Sequence, residues 1–425
     1  MGRDRSLRLN GGPVIDTGGT SVDRFSKVFA GQIAVSIAAA LNVSPALSAD
    51  LVDLIPGLYG GDGITMVKTD AAGRDHSGHF TYDPNQANPL SDLNNEIASQ
   101  VLPLPVNASP GGFTYRFDPD TGEYVRTSKK LGLLVGERPQ TLGKGSFSVG
   151  LAYTFYSYDK FEGDDLGNLH ARLDHEPIPG LPLDRQPPDV NDWIDINLDV
   201  DIRVQAFAFS GTYGVTDRID LTAVIPYVDV DMDVDAAATY FDADGLAGDE
   251  YRFGDESPYD SASGSKSGLG DIILAGKYFW IDRDRFDLAA ALRVKLDTGD
   301  EDNFLGTGST TIWPGVLGTY ELTEIVTATL NLGYEFDLDN NERNKLIYKI
   351  GLDSGDDKFT AALEILGRHE LNGDGIGDDL IDASAGFKWA PTKNVILSAN
   401  LLFPLNSDQG LRSDVVTIVA IEYRD

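Results

Sequence analysis

The chain contains no cysteine, so neither a disulfide framework nor a thiolate metal site can form. Basic residues are few: 34 Lys and Arg stand against 67 Asp and Glu, which gives a net charge of −33. So acidic a chain lacks the basic clusters that bind phosphate backbones, and we expect no nucleic-acid partner. The chain has five histidines and no Gly-x-Ser-x-Gly motif. We therefore expect neither an enzyme nor a bound cofactor.

Long apolar runs are also missing after residue 50, where no stretch approaches the roughly 20 residues of a membrane-spanning helix. A shorter apolar run, VFAGQIAVSIAAALNV at residues 28–43, follows five basic residues and precedes the small residues of SPALSA. This order is typical of a secretory signal peptide. We predict a signal over residues 1–49, cleaved near Ser48 or Ala49; a retained N-terminal helix is the alternative.

Residues 50–143 have a mixed composition that is rich in glycine and proline. SDLNNEIASQVL at 91–102 predicts a helix with Ser91 as its N-cap. GFTYRFDPDTGEYVRTS at 112–128 predicts a hairpin, because Asp-Pro-Asp-Thr-Gly supplies a turn. We expect this segment to be a small plug or periplasmic extension that precedes a main domain at residues 144–425.

The main domain reads as alternating strands joined by loops of two lengths. Short connections such as GVTD, DRDR, TE, SGDD and APTK alternate with long ones throughout. Tight turns at one end and long loops at the other predict an all-β, up-and-down antiparallel barrel of the outer-membrane type. The twelve predicted strands are 146–158, 193–213, 218–240, 270–281, 286–297, 310–322, 325–337, 345–353, 358–367, 380–389, 393–404 and 414–424.

The faces of these strands support a barrel in lipid. Residues 286–297 place Leu288, Leu292 and Leu296 on one side, with Arg293 and Lys295 on the other. Large aromatic residues near the strand ends predict the interfacial girdles of a membrane barrel. They are Trp280, Phe286, Phe359, Trp389 and Tyr423 at the short turns, and Phe336 and Phe403 at the long loops.

The stretch VDVDMDVD at 228–235 raises a question of register, since a strand here has one apolar and one acidic face. Pairing Tyr213 with Arg218 across GVTD matches the apolar faces of the two strands as far as Pro226. Beyond it the apolar residues change parity, so we predict a β-bulge at this proline, which cannot donate to the ladder. The resulting pairs are Arg203 with Asp229, Asp201 with Asp231, and Asp199 with Asp233.

That register predicts an acidic cluster in the lumen or at the outer mouth. Its members are Asp199, Asp201, Asp229, Asp231, Asp233 and Asp235. We favour a hydrated acidic wall; an entrance that attracts cations is one alternative. A Ca²⁺ site formed by Asp199, Asp201, Asp231 and Asp233 is a weaker one, because Ca²⁺ takes six to eight oxygens that strands supply awkwardly. We expect no other metal site.

Basic side chains are also expected in the lumen, because strand alternation turns them away from lipid. The predicted set is Arg203, Lys277, Arg293 and Lys295, with Lys345, Lys349 and Lys388 on further strands. A lumen lined by both signs suits polar or zwitterionic solutes, whereas mutual neutralisation of the charges is the alternative explanation.

Three stretches resemble a known family: YGVTDRIDLTAVIPYVDVDMD at 213–233, SGLGDIILAGKYFW at 267–280 and LDTGDEDNFLGTGST at 296–310. The resemblance is to outer-membrane proteins of the putative MetA-pathway of phenol degradation family, over roughly residues 130–425. It implies a β-barrel channel or transporter for aromatic or other hydrophobic compounds. It assigns no binding residue.

We therefore expect a protein of the bacterial outer membrane, exported by a cleaved signal, that passes small solutes, hydrophobic or aromatic ones among them. Its expected partners are outer-membrane lipid and those solutes, and the sequence leaves the oligomeric state open. An adhesin or structural barrel is one alternative. A barrel enzyme acting on lipid is another, with His170, His175 and His369 as its loop candidates.

Overall fold

The computed structural model describes residues 50–58, 66–67, 80–82, 115–118, 123–126, 130–175, 193–241, 252–253, 259–340, 343–371 and 379–425. No helix within these ranges is both long and apolar enough to cross a membrane. The predicted hairpin is confirmed, because Tyr115–Asp118 pairs antiparallel with Glu123–Arg126. The predicted helix at 91–102 and the predicted signal peptide lie outside the described residues.

The described residues form a closed barrel of twelve antiparallel strands, each paired with its neighbours in chain order. Pairing of the first strand with both the second and the last closes the ring. All twelve strands predicted from the sequence are thereby confirmed. They are β1 Phe147–Tyr158, β2 Trp193–Thr216, β3 Ile219–Phe241, β4 Ile273–Asp282, β5 Phe286–Lys295, β6 Thr311–Glu321, β7 Val326–Asp337, β8 Lys345–Gly355, β9 Phe359–Glu370, β10 Asp379–Trp389, β11 Val395–Pro404 and β12 Val416–Arg424.

The short connections are closed by their own polar side chains, which accept backbone N–H groups two or three residues further on. Asp356 accepts from Lys358 and Phe359, both at 2.8 Å, in the turn between β8 and β9. These two bonds lower the pKa of the Asp356 carboxyl. Thr323 and Thr392 cap their turns in the same way. Ser, Thr and Asp favour turns for this reason, which explains the sharp reversals at one end of the barrel.

Strands β2 and β3 are much longer than the others, with 24 and 23 residues. At about 3.3 Å per residue such a strand spans roughly 75 Å, whereas a transmembrane strand needs only about 9–11 residues. Their halves near the short turn pair with β1 and β4 in the barrel wall. Their far halves leave the barrel and pair with Leu169–His175 and Tyr259–Leu269, two strands that the sequence prediction missed. A further short strand, Phe80–Tyr82, pairs with Leu169–His175. We call this five-stranded part the extension.

The extension has an apolar core of its own on its inward face. Val228, Val230 and Met232 of β3 are fully buried there against apolar residues of β2 such as Ile202 and Val204. The turn of helix at Leu51–Asp53 and the helix Leu54–Leu58 add Leu51, Leu54 and Ile55 to the same core. The first described residues of the chain thus pack at the long-loop end.

The outward face of the barrel wall carries a continuous set of exposed apolar side chains. The seven aromatic residues predicted for the two girdles all lie exposed on this face. The inward face carries mainly Thr, Ser, Asn and charged residues. Two examples are the pair Thr212–Thr222 at 2.8 Å and the pair Ser384–Asn400 at 2.9 Å.

The predicted bulge at Pro226 is wrong. Strands β2 and β3 keep one register from Asp220 to Phe241, with Val230 opposite Val204, and their irregularity lies beside the turn, between Ile219 and Asp220. The inward face of β3 stays on even-numbered residues throughout. What changes at Pro226 is the surroundings of each face, because the strand leaves the barrel wall there.

Candidate functional site

A segment of irregular chain, Lys130–Leu142, runs through the half of the lumen nearest the short turns. We call it the lumenal segment. Two of its leucines, Leu133 and Leu134, pack together with Val135 against inward apolar residues of β9, β11 and β12, among them Ala362, Leu402 and Ile418. Leu131, Leu133 and Val135 are at most 1% exposed. The segment therefore fills this half of the barrel instead of lying outside it.

One carboxylate holds the middle of the lumenal segment. Glu364 of β9 accepts the backbone N–H of Leu134 at 2.7 Å and of Val135 at 3.0 Å through Oε1. Its Oε2 accepts the N–H of Gly136 at 2.6 Å. Three consecutive N–H groups converging on one carboxylate form a strong, charge-assisted anchor.

Further contacts fix the segment on both sides of this anchor. Asn331 accepts the N–H of Glu137 at 2.7 Å and donates to its carbonyl at 2.8 Å. Lys277 donates to the carbonyls of Arg138 and Gln140 at 3.1 and 2.7 Å. The wall thus satisfies the backbone of the segment as a neighbouring strand would.

A cavity of about 280 Å³ lies beyond the lumenal segment, in the half of the barrel nearest the long loops. Val135 forms part of its lining, which places the segment next to the cavity. One part of the lining is apolar and aromatic: Tyr156, Tyr158, Trp313, Leu366, Leu380 and Leu402. Tyr156 and Tyr158 stack at 5.8 Å with an interplanar angle of 13°.

Trp313 lies flat against the wall of the cavity, because two glycines make room for its ring. A Cβ at Gly315 would come within 2.1 Å of the ring, and one at Gly333 within 2.3 Å. The Arg293 guanidinium stacks over the other face, 4.3 Å from the ring centroid, and forms an ion pair with Glu137 of the lumenal segment. The stack couples the wall to the segment.

The charged lining of the cavity is predominantly basic, in contrast to the net charge of −33 of the whole chain. Seven basic and three acidic residues line it. The basic residues are Arg293, Lys295, Arg343, Lys345, Lys349, Arg368 and Arg412, and the acidic ones are Glu335, Asp337 and Asp382.

Three of the four basic residues singled out in the sequence lie on the inward face of the barrel. Lys277 is buried beside Asp220 at 3.9 Å, Arg293 pairs with Glu137, and Lys295 lies 3.5 Å from Asp271. The prediction of a lumenal Arg203 is wrong. Arg203 lies on the outward face of the extension, because the residues that point into the core of the extension are its neighbours Ile202 and Val204.

The acidic cluster is likewise on the outward face of the extension and not in the lumen. Asp201 lies opposite Asp233, Asp199 opposite Asp235, and Arg203 opposite Asp231. Arg203 donates to Asp201 at 3.2 Å and to Asp233 at 3.1 Å, which relieves the repulsion between them. Asp229 is half-buried next to the barrel rim. Burial raises its pKa, and the Asp231 carboxylate raises it further.

Neither the predicted calcium site nor a catalytic pair takes shape in the described part of the chain. No group of three or more acidic or histidine side chains is arranged there to hold a metal ion. His170 lies 3.3 Å from Asp195, and His369 lies 2.5 Å from Asp379, both on exposed surface. Within the described residues, neither histidine forms a hydrogen bond with a serine. The side chain of His175 lies outside them.

A closed barrel with exposed hydrocarbon around it and polar groups within satisfies every requirement of a lipid-spanning sheet. The chain is therefore a transmembrane β-barrel of the bacterial outer-membrane type. The resemblance found in its sequence is confirmed: the family model described as Putative MetA-pathway of phenol degradation matches residues 184–357.

Solved structures with similar folds include an outer membrane channel from Pseudomonas putida F1, at 13% identity and a TM-score of 0.41, covering 68% of this chain and 98% of that one. The CymD monoaromatic hydrocarbon channel has 9% identity and a TM-score of 0.35, and the match covers 67% of this chain and 89% of that one. The toluene transporter TbuX of Ralstonia pickettii has 13% identity and a TM-score of 0.33, and the match covers 68% of this chain and 92% of that one. No curated protein is significantly similar in sequence.

Proposed function

We propose that this chain is an outer-membrane channel that lets small solutes, hydrophobic and aromatic ones among them, cross through its lumen. The observation that carries the proposal is the cavity of about 280 Å³ inside the closed barrel, lined by aromatic and basic side chains. Its size lies near the lower end of the range of small-molecule sites, roughly 300–1,000 Å³. Residues 1–49 direct export and are cleaved off, so the mature chain begins close to Asp50.

The lumenal segment acts as the plug of this channel. It fills the lumen between the cavity and the short turns, which in outer-membrane barrels face the periplasm. Its hydrogen bonds to Glu364, Asn331 and Lys277 can break one by one without disturbing the barrel ladder. A solute in the cavity therefore passes inward only when the segment moves.

Liposome swelling separates this function from its two alternatives. Purified protein in liposomes should admit small solutes in order of size, whereas an adhesin or structural barrel should admit none. Phospholipid hydrolysis by the same preparation would favour the lipid-acting enzyme. Absence of both swelling and ion conductance would overturn the proposal.

Replacing residues 131–141 by a glycine–serine linker of equal length tests the plug. Single-channel conductance in planar bilayers should rise, because the linker loses the side chains that fill the lumen. The control replaces residues 372–378, in the connection between β9 and β10, by a glycine–serine linker of their own length. A conductance that stays at the wild-type value in the first variant would contradict the role of the segment.

A further inference from the structure

Some basic side chains of the cavity form close ion pairs within the protein, and others do not. Arg293, Lys295, Lys345 and Arg412 each have a carboxylate partner: Glu137, Asp271, Glu370 and Asp382. Arg343, Lys349 and Arg368 have no carboxylate within 4 Å among the described residues. Lys349 donates instead to the carbonyl of Val135 at 3.1 Å.

Arg368 lies where the basic and apolar parts of the lining meet. It interacts electrostatically with Tyr156, Tyr158 and Asp382. Its neighbour on the inward face of β9 is Leu366, which packs among apolar side chains and also lines the cavity. A group bound to this guanidinium would therefore have hydrocarbon and aromatic rings beside it.

We infer that the cavity binds a small organic anion with an apolar body, of the class of the aromatic carboxylates. A guanidinium binds a carboxylate through two parallel N–H bonds, and such bonds gain strength away from bulk water. Lys349 adds a second positive charge. The stacked tyrosines and the leucines pack against the aromatic ring of the ligand. The cavity therefore recognises the apolar body of the ligand as well as its charge.

The inference rests on the proposed function, since it names the solute class of the same lumen. It also explains a contrast within the protein. The outward face of the extension is acidic and repels anions, whereas the cavity attracts them.

The test compares four solutes that differ in one feature at a time: benzoate, benzyl alcohol, benzylamine and acetate. Binding to the folded wild-type protein in detergent is measured by titration calorimetry, and flux by liposome swelling. We expect benzoate to bind about tenfold or more tightly than benzyl alcohol or acetate, the margin of a charge-assisted hydrogen bond or a buried ring. Benzylamine should bind weakest.

Variants locate the site. Arg368→Gln should weaken benzoate binding about tenfold and leave benzyl alcohol unchanged. Arg368→Lys keeps the charge but not the two parallel N–H bonds, so it should weaken benzoate binding less than Arg368→Gln does. Arg203→Gln removes the same charge from the outward face and should change neither. Circular dichroism of each variant checks the barrel fold.

Equal affinity for benzoate and benzyl alcohol, or an unchanged benzoate affinity in Arg368→Gln, would overturn the inference. Ion conductance without any preference for benzoate would overturn it too and leave the channel intact. Benzoate binding without flux of any solute would contradict the proposed function alone.

Discussion

Substituting Glu364 by glutamine should release the lumenal segment from its anchor. The carboxylate accepts N–H groups from Leu134, Val135 and Gly136 at 2.6–3.0 Å. A glutamine side chain keeps one acceptor oxygen and turns its NH₂ group towards the remaining N–H donor. One charge-assisted bond is then lost and the others weaken, at about 2–4 kcal/mol in total. The ratio of released to anchored segment rises by roughly 30- to 700-fold.

Single-channel recording in planar bilayers measures this ratio directly, as the fraction of time that a barrel spends in its larger conductance. Glu422→Gln is the matched control, because Glu422 also points inward but its bond is to Ser148 of the wall, at 3.0 Å. We expect more frequent openings for Glu364→Gln and wild-type behaviour for Glu422→Gln. Indistinguishable records for the two variants would refute the idea that Glu364 anchors a plug.

Two further predictions concern stability. Gly333→Ala should lower the unfolding temperature and shift tryptophan emission, because the added Cβ would lie 2.3 Å from the Trp313 ring. Such overpacking costs about 1–3 kcal/mol. The control is Gly211→Ala, where no atom lies within 4 Å of the new Cβ, and it should leave both properties unchanged. Asp229→Asn should stabilise the protein at neutral pH. The pKa of the Asp229 carboxyl is raised in the folded protein, so its ionisation destabilises the fold as the pH rises through the unfolded and folded pKa values. In acid the carboxyl is protonated, and the wild-type protein and Asp229→Asn should have the same unfolding temperature. A higher unfolding temperature of Asp229→Asn in acid as well would contradict this explanation.

The twelve barrel strands were predictable because lipid imposes a simple code. Each wall strand needs apolar residues on every second position, and the connections at one end are shorter than those at the other. The strand Tyr259–Leu269 does not follow this pattern, and the sequence prediction missed it. Its sequence, YDSASGSKSGL, has no apolar alternation, because it pairs with β3 outside the membrane.

The register of β2 and β3 was mispredicted because one environment was assumed along their whole length. The change of parity after Pro226 was attributed to an extra residue, whereas it marks the point where lipid gives way to water on one face. On the other face the lumen gives way to an apolar core. Strand length was the available signal, since 23 residues exceed what a bilayer requires.

The sequence predicted the lumenal segment only as part of residues 50–143, a plug or a periplasmic extension. Its wall partners, such as Glu364 and Asn331, lie about 190 to 230 residues further along the chain. No local pattern indicates such pairs. Inward polar residues of a barrel look alike in sequence, whether they contact water or an inserted segment.

Cysteine labelling along β3 tests the central claim, that the outward face of this strand lies against lipid as far as Tyr227 and in water beyond it. The chain has no cysteine of its own, so each introduced thiol is the sole target. A membrane-impermeant maleimide added to intact cells should label Asp231→Cys and Asp233→Cys, and should leave Leu221→Cys and Ile225→Cys unlabelled. If the cysteines at positions 221 and 225 are labelled as fast as those at positions 231 and 233, the account is contradicted.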